Sequence, residues 1–385
     1  MKTPYYLYRE EVIENQIQKV RAFFSGSVYR CHFAVKSNAN PVLLRYLHEQ
    51  GFGMDIISQG EWVAAHLAGV KGAEMIWNGN VKKEEEMSFF LDDGIGIVNI
   101  DSFREIEQWG RMHQKQPTIP SLFIRINPSI DAGTHPYIST GNKAHKFGIG
   151  IDKLDEALDL AKSYSLRIEG LHAHIGSQIT DPEILAKAYQ EIITLSEQYD
   201  FSTVNLGGGW GIPYQDVHAL DLGALRHRVL PILKRISVYC ELGRFIIGEA
   251  GSYVVKVEDV RFLDSKHVMV ITDGGMHHFI RPALYQAKHT FTVTQPSEAG
   301  VYQLSIMGRL CESGDILASG MDMIPEIGSL LYVHQAGAYG FSMASRYNGF
   351  PLPGEYLQKK SGEIVCIRQP ENDKWLSQGL QQYGD

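Results

Sequence analysis

Short apolar runs recur along the first 250 positions of the chain, and segments with helical spacing lie between them. Several of the apolar runs are nearly continuous, as expected for strands that are buried on both faces. The strand-like runs are 28–35, 52–57, 74–78, 95–100, 121–127, 167–174, 203–206 and 236–241. The helix-like segments are 41–50, 60–68, 102–113, 153–163, 182–199 and 220–235. This alternation predicts parallel βαβ units that close into a (β/α)₈ barrel.

The pattern changes after position 250, where strand-like runs follow one another with little helix between them. These runs are 254–262, 268–272, 290–294, 301–307, 329–334 and 362–368. They predict an all-β domain. The predicted fold class is therefore α/β, with a TIM-like barrel over 24–250. A β-sandwich or barrel-like domain is expected from 251–385, joined by the N-terminal segment 1–23.

Composition narrows the classes of function. Of the 385 residues, 44% are hydrophobic and 21% are charged, which is typical of a folded globular chain and not of a disordered one. The net charge is −8 and the basic residues are scattered, so we expect no nucleic-acid surface. No pair among Cys31, Cys240, Cys311 and Cys366 shows metal-ligand spacing, and so few, widely spaced cysteines fit a reducing compartment better than a disulfide framework. Without a signal peptide or a membrane-spanning run, we expect a cytoplasmic protein and no membrane partner.

Polar and glycine residues collect where the apolar runs of the predicted barrel stop. Lys36 ends the first run, Asp55 lies near the end of the second, His174 ends the sixth and Glu241 ends the eighth. Barrel enzymes place their active sites at the carboxyl ends of the strands. These side chains are therefore predicted to face one site.

Three consecutive glycines, Gly207, Gly208 and Gly209, follow the seventh run. Consecutive glycines let backbone N–H groups approach an anion without interference from Cβ atoms, and a phosphate site late in a barrel is a recurrent arrangement. Ser177 and Arg244 could add donors to the same phosphate. A tight turn needed only for packing is the alternative interpretation.

Lys36 suits a further role, because burial lowers the pKa of a lysine and favours an amine that forms a Schiff base. A carboxylate such as Glu241 would keep the ring nitrogen of pyridoxal 5′-phosphate (PLP) protonated, and His174 could lie against the ring face. Taken singly, each residue also has an interpretation without a catalytic role. Lys36 could simply reach solvent at the strand end, and Glu241 and His174 could be polar groups with hydrogen-bond partners in the core.

Taken together, the motifs resemble the barrel-type (fold type III) PLP-dependent decarboxylases over nearly the whole chain. The matching segments are AVKSN at 34–38, HAHIGSQ at 172–178, GGG at 207–209, ELGR at 241–244, CESGD at 311–315 and GAYGFSMAS at 337–345. Their order along the chain agrees with that family.

The resemblance implies a role for each site residue. Lys36 would hold the cofactor, Glu241 would assist the ring, and Cys311 would protonate Cα after CO₂ is lost. In the family the loop with the cysteine comes from the partner subunit, so a homodimer with shared active sites is implied. The implied cofactor-binding residues are Lys36, Asp55, His174, Ser177, Gly207, Gly208, Gly209, Glu241, Gly243, Arg244 and Tyr339.

Two segments resemble the branch of the family that acts on diaminopimelate, namely PYISTG at 136–141 with KFG at 146–148, and IRPALY at 280–285. The resemblance implies decarboxylation of meso-diaminopimelate to L-lysine. Arg244, Arg281 and Tyr285 would hold the distal carboxylate, an interaction that suits the planar fork of arginine. Glu312 would meet the distal ammonium, and Tyr339 would lie close to both cofactor and substrate.

The family motifs are altered at Gln59, Leu242, 308–310 and 349–353, so alternative functions stay open. A decarboxylase of another carboxylated diamine, such as citryl-diaminopropionate in siderophore synthesis, is one, although Arg281 and Tyr285 favour diaminopimelate. An amino-acid racemase is disfavoured by Glu241. A PLP carrier without catalytic activity is disfavoured by the β-domain with Cys311 and Tyr339.

Overall fold

The computed structural model of the chain describes residues 1–116, 118–128, 147–296 and 300–377. In chain order the strands are β1 (Tyr5–Arg9), β2 (Tyr29–Ala34), β3 (Gly53–Ile56), β4 (Met75–Trp77), β5 (Ile97–Ile100), β6 (Ser121–Asn127), β7 (Ile149–Gly150), β8 (Ile168–His172), β9 (Thr203–Asn205), β10 (Ser237–Glu241), β11 (Gly251–Phe262), β12 (His267–Thr272), β13 (Phe291–Val293), β14 (Tyr302–Met307), β15 (Ile316–Asp322), β16 (Leu330–Val333), β17 (Gly354–Gln358) and β18 (Ile364–Arg368).

The α-helices alternate with the first ten strands and become rare afterwards. They are α1 (Glu10–Phe24), α2 (Pro41–Glu49), α3 (Gln59–Leu67), α4 (Glu84–Asp92), α5 (Phe103–Lys115), α6 (Leu154–Ser163), α7 (Pro182–Gln198), α8 (Leu222–Leu233), α9 (Arg244–Ile247) and α10 (Arg281–Tyr285). Short 3₁₀ helices cover Val35–Ser37, Gly72–Glu74, Ile151–Lys153, Phe341–Met343, Tyr347–Gly349 and Asp373–Ser377. Within the described residues, no helix has the length and apolar character needed to cross a membrane.

The chain forms two compact units. One comprises Gln16–Ile212 and His218–Ile246, and the other comprises Met1–Asn15, Pro213–Val217 and Ile247–Asp385. The division along the chain falls inside α1 and inside α9.

The first unit is a closed parallel barrel, as the alternation of strands and helices predicts. Its eight strands pair in the order β2–β3–β4–β5–β6–β8–β9–β10, and β10 pairs again with β2. Strands such as β4 and β5 are buried along their whole length, because helices cover one face of a parallel sheet and the barrel interior covers the other.

Five helices of the barrel begin at capping side chains. In each case a short polar side chain accepts a hydrogen bond from a backbone N–H of the first turn, an interaction that contributes about 0.5–2 kcal/mol. The caps are Asn40, Ser58, Ser102, Asp181 and Asp221. These residues follow β2, β3, β5, β8 and β9, so they fix the loops at the ends of the strands where a barrel site forms.

The second unit is built on a largely antiparallel sheet, which confirms the predicted all-β domain. The strand order is β15–β14–β12–β11–β1–β17–β18, and β16 pairs with β11 and with β13. The N-terminal strand β1 lies between β11, to which it is antiparallel, and β17, to which it is parallel. The predicted joining of the N-terminal segment to this domain therefore takes the form of a central strand.

Several elements go beyond the sequence prediction. Helix α1 follows β1 directly, and its apolar positions Ile13, Ile17, Val20 and Phe24 show the helical spacing that should have revealed it. Strand β15 contains Ser319 and Gly320, which weaken a strand pattern. Strand β1 is buried at four consecutive residues, so it lacks alternation. Lys36, predicted at a strand end, lies on the 3₁₀ turn just after β2.

Candidate active site

The carboxyl ends of the barrel strands bring a dense set of polar side chains together. Glu241, at the end of β10, lies at its centre and is buried, with 6% of its surface exposed. Three asparagine side chains donate hydrogen bonds to its Oε1 atom. These are Asn78, 2.9 Å away, Asn99, 3.1 Å away, and Asn205, 2.7 Å away. They come from three different strand ends, so the barrel as a whole fixes this carboxylate.

These contacts keep Glu241 ionised. Burial alone would raise the pKa of Glu241, but the neighbouring His172 and the amide of Asn78 outweigh it and hold the pKa below its usual range. Nε2 of His172 lies 3.4 Å from Oε2. Burial also lowers the pKa of His172 itself, and the charge of Lys36 adds to the effect on Glu241. The site therefore contains a fixed negative charge.

Asp55, on β3, is the second carboxyl group of the site, and its pKa is shifted in the opposite direction to that of Glu241. Its side chain is buried, and its Oδ1 atom accepts a hydrogen bond of 2.6 Å from Asn78. Burial and the charge of Glu241 raise the pKa of Asp55 to about 8. Two buried carboxyl groups that share one amide thus carry one negative charge at neutral pH, and Asp55 retains the proton.

His174, two residues beyond β8, is held as a neutral ring. The backbone N–H of Gly208 donates a hydrogen bond of 3.1 Å to Nδ1, so Nδ1 is the acceptor and Nε2 carries the proton. Burial and the positive charge of Lys36 place the pKa of His174 well below its usual value. A neutral imidazole with a fixed orientation can pack against a flat ligand.

The glycine turn after β9 passes directly over His174. Gly207 has φ of +62°, and a Cβ atom added there would meet Nδ1 of His174 at 3.0 Å. Gly209 also has a positive φ, +102°, so a side chain at either position would be strained. Nearby, Nη2 of Arg244 donates a hydrogen bond of 3.0 Å to Oγ of Ser177. The turn and these donors form the kind of cradle that binds a phosphate.

Lys36 is partly exposed, and its charge influences the carboxyl groups of the same barrel end. It acts to lower the pKa of Asp55, of Glu61 and of Glu241. The structure thus brings Lys36, Asp55, His174 and Glu241 together at one end of the barrel.

In the β unit, Arg281 lies at the start of α10 and is buried, with 4% of its surface exposed. Its Nε atom lies 3.4 Å from Nε2 of His289, and its Nη2 atom donates a hydrogen bond of 3.2 Å to the hydroxyl of Tyr214. The guanidinium also lies 5.6 Å from the centroid of the Tyr285 ring. The prediction placed Arg281 beside Tyr285, and the structure adds Tyr214 and His289.

The segment with Cys311 is a turn that Asp315 holds in place. The carboxylate of Asp315 accepts hydrogen bonds from the backbone N–H of Leu310, at 2.8 Å, and of Met276, at 2.5 Å. Cys311 itself is exposed. The neighbouring Glu312 accepts a hydrogen bond from the hydroxyl of Tyr347. The loop thus presents a thiol and an oriented carboxylate on the surface of this unit.

Tyr339, the last predicted cofactor contact, is partly exposed and has φ of +58°. A left-handed tyrosine is unusual, and such residues often occur at functional sites. Of the segments that favour a diaminopimelate enzyme, 136–141 and Lys146 lie outside the described residues.

Sequence reasoning did not assign roles to the residues that surround Glu241 and Arg281. Asn78 ends the strand-like run 74–78, Asn205 lies two positions before the three glycines, and Asn99 is a polar residue inside the otherwise apolar run of β5. A buried polar residue in a core strand needs a partner, and that signal could have identified all three. Tyr214 and His289 lie in segments without any motif, so only the folded chain reveals them.

Comparison with known proteins agrees with this geometry. The family model described as "Pyridoxal-dependent decarboxylase, pyridoxal binding domain" matches residues 10–256. The diaminopimelate decarboxylase of Neisseria meningitidis serogroup A is 36% identical, over 96% of this chain and 92% of its own length. That of Aquifex aeolicus is 35% identical, over 97% of this chain and 90% of its own.

Solved structures are similar over the same length. The crystal structure of diaminopimelate decarboxylase from Helicobacter pylori complexed with L-lysine matches with a TM-score of 0.91 and 34% identity. The match covers 98% of this chain and 96% of the Helicobacter pylori chain. A lysine/ornithine decarboxylase from Vibrio vulnificus, 21% identical with a TM-score of 0.78, shares the fold.

The described residues fit the cofactor that this family implies. The glycine turn, with Ser177 and Arg244, offers donors for a phosphate, and Lys36 offers an amine. Oδ2 of Asp55 is buried and accepts no hydrogen bond from any described residue. Buried polar atoms normally have a partner, so this oxygen is expected to form a hydrogen bond with a bound group. This chain belongs to the pyridoxal-dependent decarboxylases, a family of carbon–carbon lyases, and its cofactor is PLP.

Proposed function

We propose that this chain decarboxylates meso-diaminopimelate to L-lysine. The observation that carries the proposal is the buried Arg281, whose guanidinium is held by Tyr214 and His289 beside the ring of Tyr285. The side chains of ornithine, lysine and arginine are positively charged, so a buried arginine in the substrate site would repel them, whereas it would attract a substrate with a second carboxylate. The relatives that are named diaminopimelate decarboxylases support the same substrate.

The distal carboxylate is the feature that separates diaminopimelate from ornithine, lysine and arginine. We assign its recognition to Arg281 and Tyr285. Hydrogen bonds between an arginine fork and a carboxylate are charge-assisted and directional. Since Nε of Arg281 faces His289, and Nη2 faces Tyr214, the orientation of the fork is set before the substrate arrives. Such preorganisation reduces the entropy that is lost on binding.

When bound, PLP supplies an electron sink for the pair of electrons that remains on Cα when CO₂ leaves. In this proposal the amine of Lys36 would hold the cofactor in the resting enzyme. The carboxylate of Glu241 would accept a hydrogen bond from the ring nitrogen and so favour its protonated form. The three amide donors all bind Oε1, so Oε2, which lies 3.4 Å from Nε2 of His172, is the oxygen assigned to this task.

The remaining cofactor contacts follow from the same end of the barrel. Gly207, Gly208 and Gly209, with Ser177, Gly243 and Arg244, are proposed to bind the phosphate, and Tyr339 to add a hydroxyl donor. His174 would pack its neutral ring against the cofactor face, because the Gly208 N–H fixes its orientation. Asp55, protonated at neutral pH, would donate a hydrogen bond from the wall of the site.

Cys311 is proposed to return a proton to Cα, and Glu312 to bind the distal ammonium. Both lie on an exposed turn that Asp315 rigidifies, and Tyr347 fixes the orientation of Glu312. In the family that this chain resembles, the loop with this cysteine comes from the partner subunit, and the exposure of Cys311 is compatible with that arrangement. We therefore infer a homodimer in which each subunit completes the site of the other. All four cysteines are free thiols, which supports a cytoplasmic location.

A substrate panel tests the proposal. Purified protein with added PLP would be given meso-diaminopimelate, L-ornithine, L-lysine, L-arginine and citryl-diaminopropionate, with CO₂ and products followed by mass spectrometry. The Lys36→Ala variant measures the background. We expect L-lysine from meso-diaminopimelate and at least about 100-fold lower kcat/KM for the substrates without a distal carboxylate, since charge-assisted hydrogen bonds contribute up to about 3 kcal/mol each. If only the citryl compound is turned over, the assignment to the decarboxylase family stands, and the proposed substrate is wrong.

A further inference from the structure

Lys82 is a buried lysine that belongs to none of the groups assigned so far. Its side chain is fully enclosed, and its ammonium donates three hydrogen bonds. The acceptors are the backbone oxygens of Gly79, at 2.7 Å, and Asn99, at 2.8 Å, and Oε2 of Glu105, at 2.9 Å. Three oxygen acceptors match the three N–H donors of an ammonium group and leave no place for a neutral amine.

The two backbone oxygens belong to the segments that carry the asparagine side chains around Glu241. Gly79 directly follows Asn78, and Asn99 is itself one of the donors. The two asparagines are also joined, because Nδ2 of Asn99 donates a hydrogen bond of 2.8 Å to Oδ1 of Asn78. Lys82 therefore ties together the ends of β4 and β5 at the level of Glu241.

We propose that Lys82 is a positioning residue, which holds the amides of Asn78 and Asn99 on Oε1 of Glu241 and so keeps that carboxylate oriented toward the cofactor ring nitrogen. This inference rests on the proposed role of Glu241. It adds a residue that lies outside the cofactor and substrate contacts. The lysine acts through backbone oxygens and touches none of the reacting atoms.

Burial of the Lys82 charge costs desolvation free energy, and this cost is an argument that the residue has a function. Burial lowers its pKa, the charge of Glu105 opposes that change, and burial raises the pKa of Glu105 in turn. Replacement of a buried ion pair by apolar side chains is often neutral or even stabilising. Glu105 is itself fixed at the start of α5, where Oε2 accepts the backbone N–H of Asp101 at 3.1 Å. The pair is thus a rigid strut between α5 and the ends of two strands.

The charge state of Glu241 depends on several titratable neighbours besides the amides. These groups surround it from the neighbouring strands and loops. They are His32, Lys36, Asp55, Arg125, His172, His174 and Cys240. Lys82 donates no hydrogen bond to any of them. Of these groups, Arg125 interacts electrostatically with both Lys82 and Glu105, so the two opposite charges are removed together in the test.

The test uses the holoenzyme reconstituted with PLP labelled with ¹⁵N at the ring nitrogen, whose NMR shift reports the protonation of that atom. The variant Lys82→Met/Glu105→Leu removes the strut and leaves no buried charge behind. Glu241→Gln removes the partner of the ring nitrogen. Lys153→Met/Glu156→Leu removes an exposed ion pair of the same barrel as a control. Chemical unfolding of each protein reports stability, and PLP affinity is measured by fluorescence.

We expect the ring nitrogen of the strut variant to lose its proton at a pH lower by about one unit, a tenfold weaker hold on the proton. Its unfolding should remain close to that of the parent enzyme, and the control should match the parent in every measurement. If the strut variant does not fold, Lys82→Gln/Glu105→Gln serves instead, since glutamine is too short to reach both backbone oxygens and carries no charge.

An unchanged ¹⁵N titration in a stably folded strut variant would overturn the inference while Glu241→Gln still shifts that titration. If Glu241→Gln also leaves the titration unchanged, the proposed role of Glu241 fails, and the inference falls with it. Neither outcome depends on which amino acid the enzyme decarboxylates.

Discussion

Asp55 and Glu241 share one amide group, because Nδ2 of Asn78 donates hydrogen bonds of 2.6 Å to Asp55 and 2.9 Å to Glu241. The two buried carboxyl groups differ in every other respect. Glu241 has two further amide donors, from Asn99 and Asn205, and its pKa lies below the usual range. Asp55 lacks them, and its pKa is raised to about 8. His172 and the amide donors therefore favour ionisation of Glu241, and burial together with the charge of Glu241 favours the protonated form of Asp55.

This difference predicts how the stability of the apoprotein depends on pH. Asp55 binds its proton more tightly in the folded chain, with a pKa of about 8, than in the unfolded chain, where its pKa is 3.8. Its contribution to stability is therefore complete below the unfolded pKa and is lost as pH rises through about 8. We expect Asp55→Asn to remove this loss, so that the variant gains stability relative to the parent between about pH 5 and pH 8. Urea unfolding of both apoproteins across that range measures the difference. Parallel pH profiles would show that Asp55 is ionised in the folded chain.

Lys36→Ala should abolish the visible absorbance of the covalently bound cofactor, because no other amine is proposed to hold it. Turnover should fall to background. The matched control is Lys162→Ala, which removes an exposed lysine on α6 of the same barrel. Borohydride reduction of the holoenzyme followed by peptide mapping should place the cofactor on the peptide with Lys36. A visible band that survives in Lys36→Ala, or a label on another lysine, would refute this assignment.

The barrel could be predicted from the sequence because the apolar pattern of each buried strand lies within a few consecutive residues. A strand that is buried on both faces, such as β6, must be apolar along its length, and its bounds were predicted without error. The site residues on these strands followed because the carboxyl ends of parallel strands meet at one end of a barrel. Lys36, Asp55, His174 and Glu241 were thus predicted to share one site by position as well as by motif.

Other features depend on contacts between distant segments, and no local pattern encodes them. Lys82 and Glu105 lie on a loop and a helix that look solvent-exposed in sequence, yet both are buried as a pair. Tyr214 precedes Arg281 by 67 positions, and the hydroxyl contact between them appears only in the folded chain. Strand β1 reads as a short apolar segment, and its place between β11 and β17 is set by strands more than 200 residues away.

Cys311→Ala should retain PLP and lose most of its turnover. A positioned general acid contributes about 10²–10⁴-fold to a rate, so we expect kcat to fall by that factor. The control is Cys366→Ala, which removes a half-buried cysteine on β18. The measurement is CO₂ release at saturating substrate, with PLP content checked by absorbance. Unchanged kcat in Cys311→Ala would mean that a different group protonates Cα.

Arg281→Lys should raise KM for meso-diaminopimelate and affect kcat less. Lysine keeps the charge but cannot form the planar fork with a carboxylate, and the lost charge-assisted hydrogen bond corresponds to about 10–100-fold in KM. Arg261→Lys, at an exposed arginine of β11, is the matched control. Steady-state kinetics of both variants provide the test. A drop in kcat alone, with KM unchanged, would argue that Arg281 supports the fold of the β unit and does not bind substrate.

The central claim is that the chain removes one carboxyl group from meso-diaminopimelate, and the fate of the two carboxyl carbons tests it most directly. Meso-diaminopimelate labelled with ¹³C in both carboxyl groups would be incubated with the holoenzyme. We predict one labelled CO₂ and one L-lysine with a labelled carboxyl group for each substrate molecule consumed. Retention of both labels in the product, or no consumption while another carboxylated diamine is turned over, would contradict the account.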